Sequence, residues 1–249
     1  MTIKNKLTVI IPTLAIPDVE ITNYTLFELK KSEAVKQVFI IDNTADGHFK
    51  KKYTATMGCK VITDQPNLYV NPAWNHGVSL TDTPYYLLLN DDVMLRHEVL
   101  DLVVDLLEKN NNINITSVKT HNFNKHRHVG GEGSKGTYNI DDVIHGGSRL
   151  TPAIDKSYPP IGSELEYEFK AFPARQGWFM AGRVDRWAPI SIPACGRIMH
   201  GDDWIYQRNA EQHHEGACFV SNCHIYHAES STVSVKARLK ESLPNWEKL

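Results

Sequence analysis

What this sequence lacks narrows the choices first. No apolar run approaches the roughly 20 residues that a bilayer-crossing helix needs. The opening Met1-Thr2-Ile3-Lys4-Asn5-Lys6 leads directly into the short strand-like run Leu7–Ile11, which is too brief for a secretion signal. With no transmembrane segment and no leader, a cytoplasmic location is the expectation. An excess of one charge is missing too. Against 27 Lys and Arg stand 29 Asp and Glu, a formal net charge of −2, so no global basic field points to nucleic acid. Cysteines are few, and Cys59, Cys195, Cys218 and Cys223 form no zinc-like pair of pairs. Reduced core thiols are the expectation for them. Internal repeats are absent, and no linker is rich enough in Gly, Pro or Ser to mark a domain boundary. At 249 residues and 41% apolar content the chain can bury the core of one α/β domain.

What is present centres on Tyr85-Tyr86-Leu87-Leu88-Leu89, an apolar run that meets Asn90-Asp91-Asp92. A continuous apolar run of this kind suits a strand covered on both faces. In an open α/β sheet, ligands bind beyond the carboxyl ends of such strands. Two neighbouring acids repel each other unless a cation or hydrogen-bond donors offset the charge. The plainer alternative is a turn in which Asp92 caps a helix over Arg96–Lys109.

Other stretches fit the same plan. Leu7–Ile11 reads as a buried strand stopped by Pro12-Thr13, and Val38–Ile41 as a second strand ending in Asp42. A helix over 18–31 has Ile21, Leu26 and Leu29 for its inner face, and Lys60–Thr63 reads as a short third strand. Strand, helix, strand at this spacing predicts parallel crossovers. Asn71 before Pro72 predicts a helix start, and that helix carries Asn75 and His76. Val99, Leu100, Val103, Val104, Leu106 and Leu107 recur at helical spacing, followed by a strand at Ile115–Lys119.

Residues 121–176 change character, with scattered glycines, Pro159-Pro160 and His121, His126 and His128 among Asn, Lys and Arg. A solvated loop serving as a lid or acceptor wall is the expectation there, ahead of a histidine metal site. Order returns with a strand at Trp178–Gly182, a helix carrying Asp203, Gln207 and Arg208, and an alternating strand that ends at His227. The tail from Thr232 to Leu249 has Val235, Leu239 and Leu243 at helical spacing among basic residues, as a docking helix would.

Three strand ends thus carry polar residues aimed one way: Pro12-Thr13, Asp42 and Asn90-Asp91-Asp92. That is the geometry of a nucleotide crevice. Asp42 can accept hydrogen bonds from a base or ribose. Asp92 and His227 make a carboxylate–imidazole pair suited to Mn2+ or Mg2+ bridging phosphate oxygens. Asp203, elsewhere in the cleft, is available to take a proton from an incoming hydroxyl.

From Leu7 to about His227 the chain resembles the GT-A glycosyltransferases of the family-2 type. Val9-Ile10-Ile11-Pro12-Thr13 is similar to that family's first strand, and Ile40-Ile41-Asp42-Asn43-Thr44 to its second. Asn67 to Gly77 resembles its N-x-G-x(5)-N-x-G segment, with Asn75-x-Gly77 intact and Tyr69 in place of the usual glycine. Leu87 to Asp92 resembles the DxD segment in the N-x-D form of rhamnosyltransferase-like members. Asp202-Asp203 with Arg208 is similar to the acid-pair segment that carries the catalytic base, with Asp for Glu, and His227 matches a late metal-binding histidine.

The resemblance implies a single GT-A, Rossmann-like α/β domain over 1–249, its mostly parallel sheet flanked by helices. Residues 1–120 would bind the nucleotide sugar, and 121–249 the acceptor. It implies inverting transfer from a nucleotide-diphosphate sugar, with Asp203 as base and Asp202 as the rival for that role. Pro12, Thr13, Asp42, Asn43, Asn75, Asn90 and Asp91 would hold the donor, Asp92 and His227 the metal, and Trp178, Asp202 and Arg208 the acceptor.

A saccharide or lipid-linked saccharide is the implied acceptor. A hydroxymethylated base in phage DNA is the alternative, with Lys125, Arg127, Lys135 and Arg149 sparse candidates for phosphate contacts. A nucleotidyltransferase would want a Gly-rich, basic loop after the first strand, where this chain has Pro12-Thr13-Leu14-Ala15-Ile16-Pro17. An inactive sugar-nucleotide-binding protein would not need Asp92, Asp203 and His227 together.

Overall fold

The computed structural model describes residues 2–13, 19–44, 58–63, 65–123, 166–170, 178–192, 204–205, 208–209 and 217–228. Side-chain alternation along three strands decides the architecture. In β1 (Leu7–Thr13), Leu7, Val9 and Ile11 enter one core while Ile10 enters another. In β4 (Tyr85–Leu89) and β8 (Phe179–Arg183) the same split recurs, with Tyr85, Leu87, Leu89, Phe179 and Ala181 against Tyr86, Leu88 and Met180. Every residue of β1 and β4 is buried. The sheet is therefore covered on both faces, which is why these strands read as unbroken apolar runs.

The remaining strands are β2 (Val35–Asp42), β3 (Lys60–Ile62), β5 (Val93–Met94), β6 (Ile115–Phe123), β7 (Tyr167–Lys170) and β9 (Ala217–Ala228). The nine strands form one sheet in the order β3-β2-β1-β4-β8-β6-β9-β5, with β7 pairing β9. From β3 to β4 all pairings are parallel. Beyond β4 the sheet is mixed: β6 and β9 are parallel, while β8, β5 and β7 run antiparallel to their neighbours. The parallel half sends the carboxyl ends of β1, β2 and β4 to the same edge.

Helices α1 (Val19–Leu29) and α3 (His97–Lys109) cover one face, and α2 (Val70–Ser79) the other. The six apolar residues read as the stripe of α3 are the six it buries. On the opposite face α2 lies directly on β1, where a Cβ at Gly77 would overlap the Ile10 side chain. Gly182 similarly leaves room for the Tyr86 ring, which meets Trp187 edge-on at 5.0 Å and 72°.

Both expected helix caps are corrected. The N-cap of α2 is Tyr69, not Asn71, which is buried inside the first turn of the helix. Asp92 does not cap α3: its N-cap is Arg96, with no side-chain capping bond, and the Glu28 Oε2 on α1 accepts the His97 N–H at 3.2 Å. The loop expected over 121–176 is shortened as well, because β6 runs on to Phe123 and β7 falls inside it. The rest of that stretch, and the tail from 232, lie outside the described residues. Burial pushes the pKa of the Cys59 and Cys223 thiols up to about 11 each. Among the described residues, no helix is long and apolar enough to cross a membrane.

Candidate active site

At the carboxyl edge of the parallel half, β1 and β2 finish in register, with Thr13 beside Asp42. Thr13 Oγ1 also donates to Asp91 Oδ2 at 2.7 Å, across to the turn after β4. Three strand ends expected from sequence to share a crevice are therefore joined by one ladder and one side-chain bond. Thr13 and Asp42 are both buried, at 3% and 2% exposure. Donors meet the buried Asp42 side chain: its Oδ1 accepts from Thr44 N at 3.0 Å and from Thr44 Oγ1 at 2.5 Å. This is an Asx turn, so Asp42 shapes the edge as well as standing at it.

Asn43 extends the edge toward α2. Its Oδ1 accepts from Leu68 N at 3.0 Å and its Nδ2 donates to Tyr69 O at 3.2 Å. Tyr69 has φ 61° and ψ −167°, a backbone conformation that glycine adopts freely and a tyrosine only under strain. The departure from the N-x-G pattern thus falls at a position whose backbone favours glycine.

Asp92 is 6% exposed and immediately precedes β5, whose Val93 pairs with His227 of β9. The two residues expected to hold a metal are brought within one ladder step along the backbone. Asn90 N donates to Trp178 O at 3.1 Å, which places Trp178 beside the acids. Asp202 and Asp203 lie outside the described residues. Immediately after them the chain is helical at Trp204, Ile205, Arg208 and Asn209, and the Arg208 guanidinium sits 5.6 Å from the centroid of the Trp204 ring.

Asn75, expected at the donor, has both ends of its side-chain amide on Ile192. Nδ2 donates to Ile192 O at 2.6 Å and Oδ1 accepts from Ile192 N at 3.1 Å. Sequence reasoning misses this contact because nothing near Asn75 marks a partner 117 positions away. It also misses Glu28, which with His97 and Glu98 forms a group whose ligating atoms lie within 4.8 Å of one another. Those carboxylates already have cationic partners, Lys31 at 2.5 Å for Glu28 and Arg96 for Glu98. Burial works against ionisation of Glu28, but the Lys31 and His97 hydrogen bonds outweigh it and hold the pKa below the usual range. A helix-to-helix ion-pair network accounts for this group without a metal.

No protein-family model matches the sequence, and no curated protein resembles it significantly in sequence. Solved structures do resemble its fold. S. aureus TarS (residues 1–349) superposes with a TM-score of 0.57 at 13% identity, over 90% of this chain and 60% of that one. GalNAc-T7, crystallised with UDP, GalNAc and Mn2+, superposes with a TM-score of 0.67 at 14% identity, over 98% of this chain and 47% of that one. The chain thus spans about half to three-fifths of the length of either protein. The fold is the α/β GT-A fold of glycosyltransferases.

Proposed function

We propose that this chain is a metal-dependent, inverting glycosyltransferase that moves a sugar from a nucleotide-diphosphate sugar to an acceptor hydroxyl. One observation carries the reading: Thr13, Asp42 and Asp91 stand together at the carboxyl edge of adjacent parallel strands. GalNAc-T7, of similar fold, was crystallised with a nucleotide, a sugar and a divalent ion. Pro12, Thr13, Asp42, Asn43, Asn90 and Asp91 would line the donor pocket, with Asp42 accepting from base or ribose. Trp178, Asp202 and Arg208 would meet the acceptor, taken as a saccharide or lipid-linked saccharide in the cytoplasm.

The residues fit a hard divalent ion. Asp92 is a buried carboxylate one position before the residue paired with His227, and an oxygen–nitrogen donor set of this kind suits Mn2+ or Mg2+. Such an ion would supply positive charge against the diphosphate. Asp203 takes the proton from the acceptor hydroxyl, and the oxygen's electron pair forms the new bond to the anomeric carbon. The bond from that carbon to the diphosphate oxygen breaks, and the nucleoside diphosphate leaves with its electron pair.

Hydrolysis of nucleotide sugars, assayed with Mn2+ and with chelator, tests the class. Metal-dependent release of nucleoside diphosphate is expected, and formation of nucleoside triphosphate and sugar 1-phosphate only when pyrophosphate is added would mark a nucleotidyltransferase. Asp203→Asn should then slow transfer by about 10²–10⁴-fold with donor affinity retained. If Asp202→Asn has that effect and Asp203→Asn does not, the two acids exchange roles. If neither slows transfer, the reading of a carboxylate base is wrong.

A further inference from the structure

We propose that Gln65 is a specificity-determining residue of the donor site, its Oε1 accepting a ring N–H of the nucleobase and so selecting uracil, thymine or guanine over cytosine and adenine. The inference rests on the donor-site reading above and names the part of the nucleotide that this edge distinguishes.

The β2–β3 ladder ends at Ile41 and Ile62. Where a ladder stops, backbone carbonyls need other donors, and Gln65 supplies them. Its Nε2 donates to Asp42 O and to Ile62 O, each at 3.2 Å. The segment that follows is fixed to the same strand end. Asn43 Oδ1 accepts from Leu68 N, and Asn43 Nδ2 donates to Tyr69 O. Gln65 also precedes Pro66, whose ring disfavours a helical backbone before it. Residues 65–69 therefore run beside Asp42 and Asn43, along the edge assigned to the donor.

The two carbonyls settle which way the amide faces. Were it reversed, Oε1 would confront two carbonyl oxygens with no hydrogen between them. Oε1 therefore stands on the side of the amide turned from both strands, and neither bond uses it. Gln65 is half-buried, not enclosed. A lysine or arginine would cap the same carbonyls with stronger, charge-assisted bonds. Glutamine caps them and keeps an acceptor.

This lock gives the residue its discriminating power. A free glutamine turns its amide about χ3 and offers a donor or an acceptor, so it accommodates any base edge. Gln65 cannot turn without giving up both bonds, and it offers an acceptor alone. At the centre of the Watson–Crick edge, uracil and thymine carry N3–H and guanine carries N1–H. Cytosine N3 and adenine N1 have a lone pair there. A fixed acceptor gains a hydrogen bond from the first three and meets a lone pair on the other two. Attraction and exclusion then come from one atom.

Binding of UDP, dTDP, GDP, CDP and ADP, measured by calorimetry with Mn2+, tests this in wild type, Gln65→Met and Gln65→Lys. Methionine keeps the length and removes both polar atoms; lysine keeps donors for the two carbonyls and removes the acceptor. Wild type should bind at least one of UDP, dTDP and GDP about 10–100-fold more tightly than CDP and ADP. Both variants should lose most of that preference. Inorganic pyrophosphate, which has no base, should bind Gln65→Met as it binds wild type. A residue that only caps strand ends would lower the unfolding temperature of Gln65→Met and leave the base preference intact. Retention of the preference by either variant therefore overturns the proposal, as does a wild type that prefers CDP or ADP or binds all five alike. The donor-site reading survives those results, because nucleotides still bind. If none of the five binds wild type, that reading fails and the proposal with it. Should Gln65→Met not fold, Gln65→Lys decides by the same ratio.

Discussion

The two faces of the sheet are tied down by different chemistry. Beneath α1 and α3 the ties are charged. Glu28 meets Lys31 and the His97 ring, Ser32 and the Ala34 N–H meet Asp101, and Lys6 and Tyr85 both reach Glu108. Arg183 joins them, donating to the carbonyls of Leu107, Asn110 and Ile113 at the end of α3. Beneath α2 the ties toward the site are neutral: Asn43 to Leu68 and Tyr69, Asn75 to Ile192, Trp204 to Ser191. The first set binds helix to helix and helix to strand starts. The second binds the segments around the site. A charged network supports the frame, while beneath α2 amide and indole bonds, which do not titrate near neutrality, join segments around the proposed site.

Four substitutions break or sharpen that contrast, in falling order of effect. Leu100→Ala removes a fully buried side chain of α3 and should cost about 2–5 kcal/mol of stability in denaturant unfolding. Molecules that remain folded should bind nucleotide normally; impaired binding would show that the two faces are not separable. Asp42→Ala removes a carboxyl acceptor at the proposed donor edge and should weaken nucleoside diphosphate binding by about 1.5–3 kcal/mol in calorimetry. Wild-type affinity would reduce Asp42 to the turn it makes with Thr44.

Glu28→Gln, on the charged face, should cost about 1–3 kcal/mol near neutral pH. The sign of its pH dependence comes from the direction of the shift. The Glu28 pKa is held low in the folded chain by Lys31 and His97 despite burial, so its stabilisation is complete above the unfolded carboxyl's pKa. It is lost as pH falls through the folded value. Unfolding curves of wild type and variant should therefore converge in acid, whereas those of Asn75→Ala should stay apart. The smallest effect is expected at Tyr69. Replacing it by glycine relieves a positive φ, but glycine also has more unfolded-state freedom to lose, leaving a net gain of about 1 kcal/mol. No rise in thermal stability would mean that contacts of the tyrosine already offset the strain.

How far the sequence can be read depends on the range of the interaction. Strand cores, the stripe of α3 and the polar strand ends arise from spacings of two to four residues, and each lies where the pattern predicts it. Helix starts mislead because the donors and acceptors come from elsewhere: α3 is capped by Glu28 on α1, and α2 begins at a strained tyrosine without a capping side chain. The carboxyl edge is legible because parallel strands must end together, yet the Thr13–Asp91 bond linking its members is not. Asn75 stands out by its motif while its partner stays invisible, since no local pattern points to Ile192. Pairings of β9 with β5, β6 and β7 are hidden for the same reason.

The position of β9 in the chain has a consequence for biosynthesis. Among the described residues β5 pairs only with β9, and more than half the chain's length separates Val93 from its partner His227. At translation rates of about 5–20 residues per second, that interval is on the order of ten seconds. During it the strands that end at Thr13, Asp42 and Asp91 have all emerged, while the turn bearing Asp92 still lacks the strand that braces it. A nascent chain therefore completes the edge assigned to the nucleotide well before the pair assigned to the metal, and chains truncated before β9 would carry the first without the second.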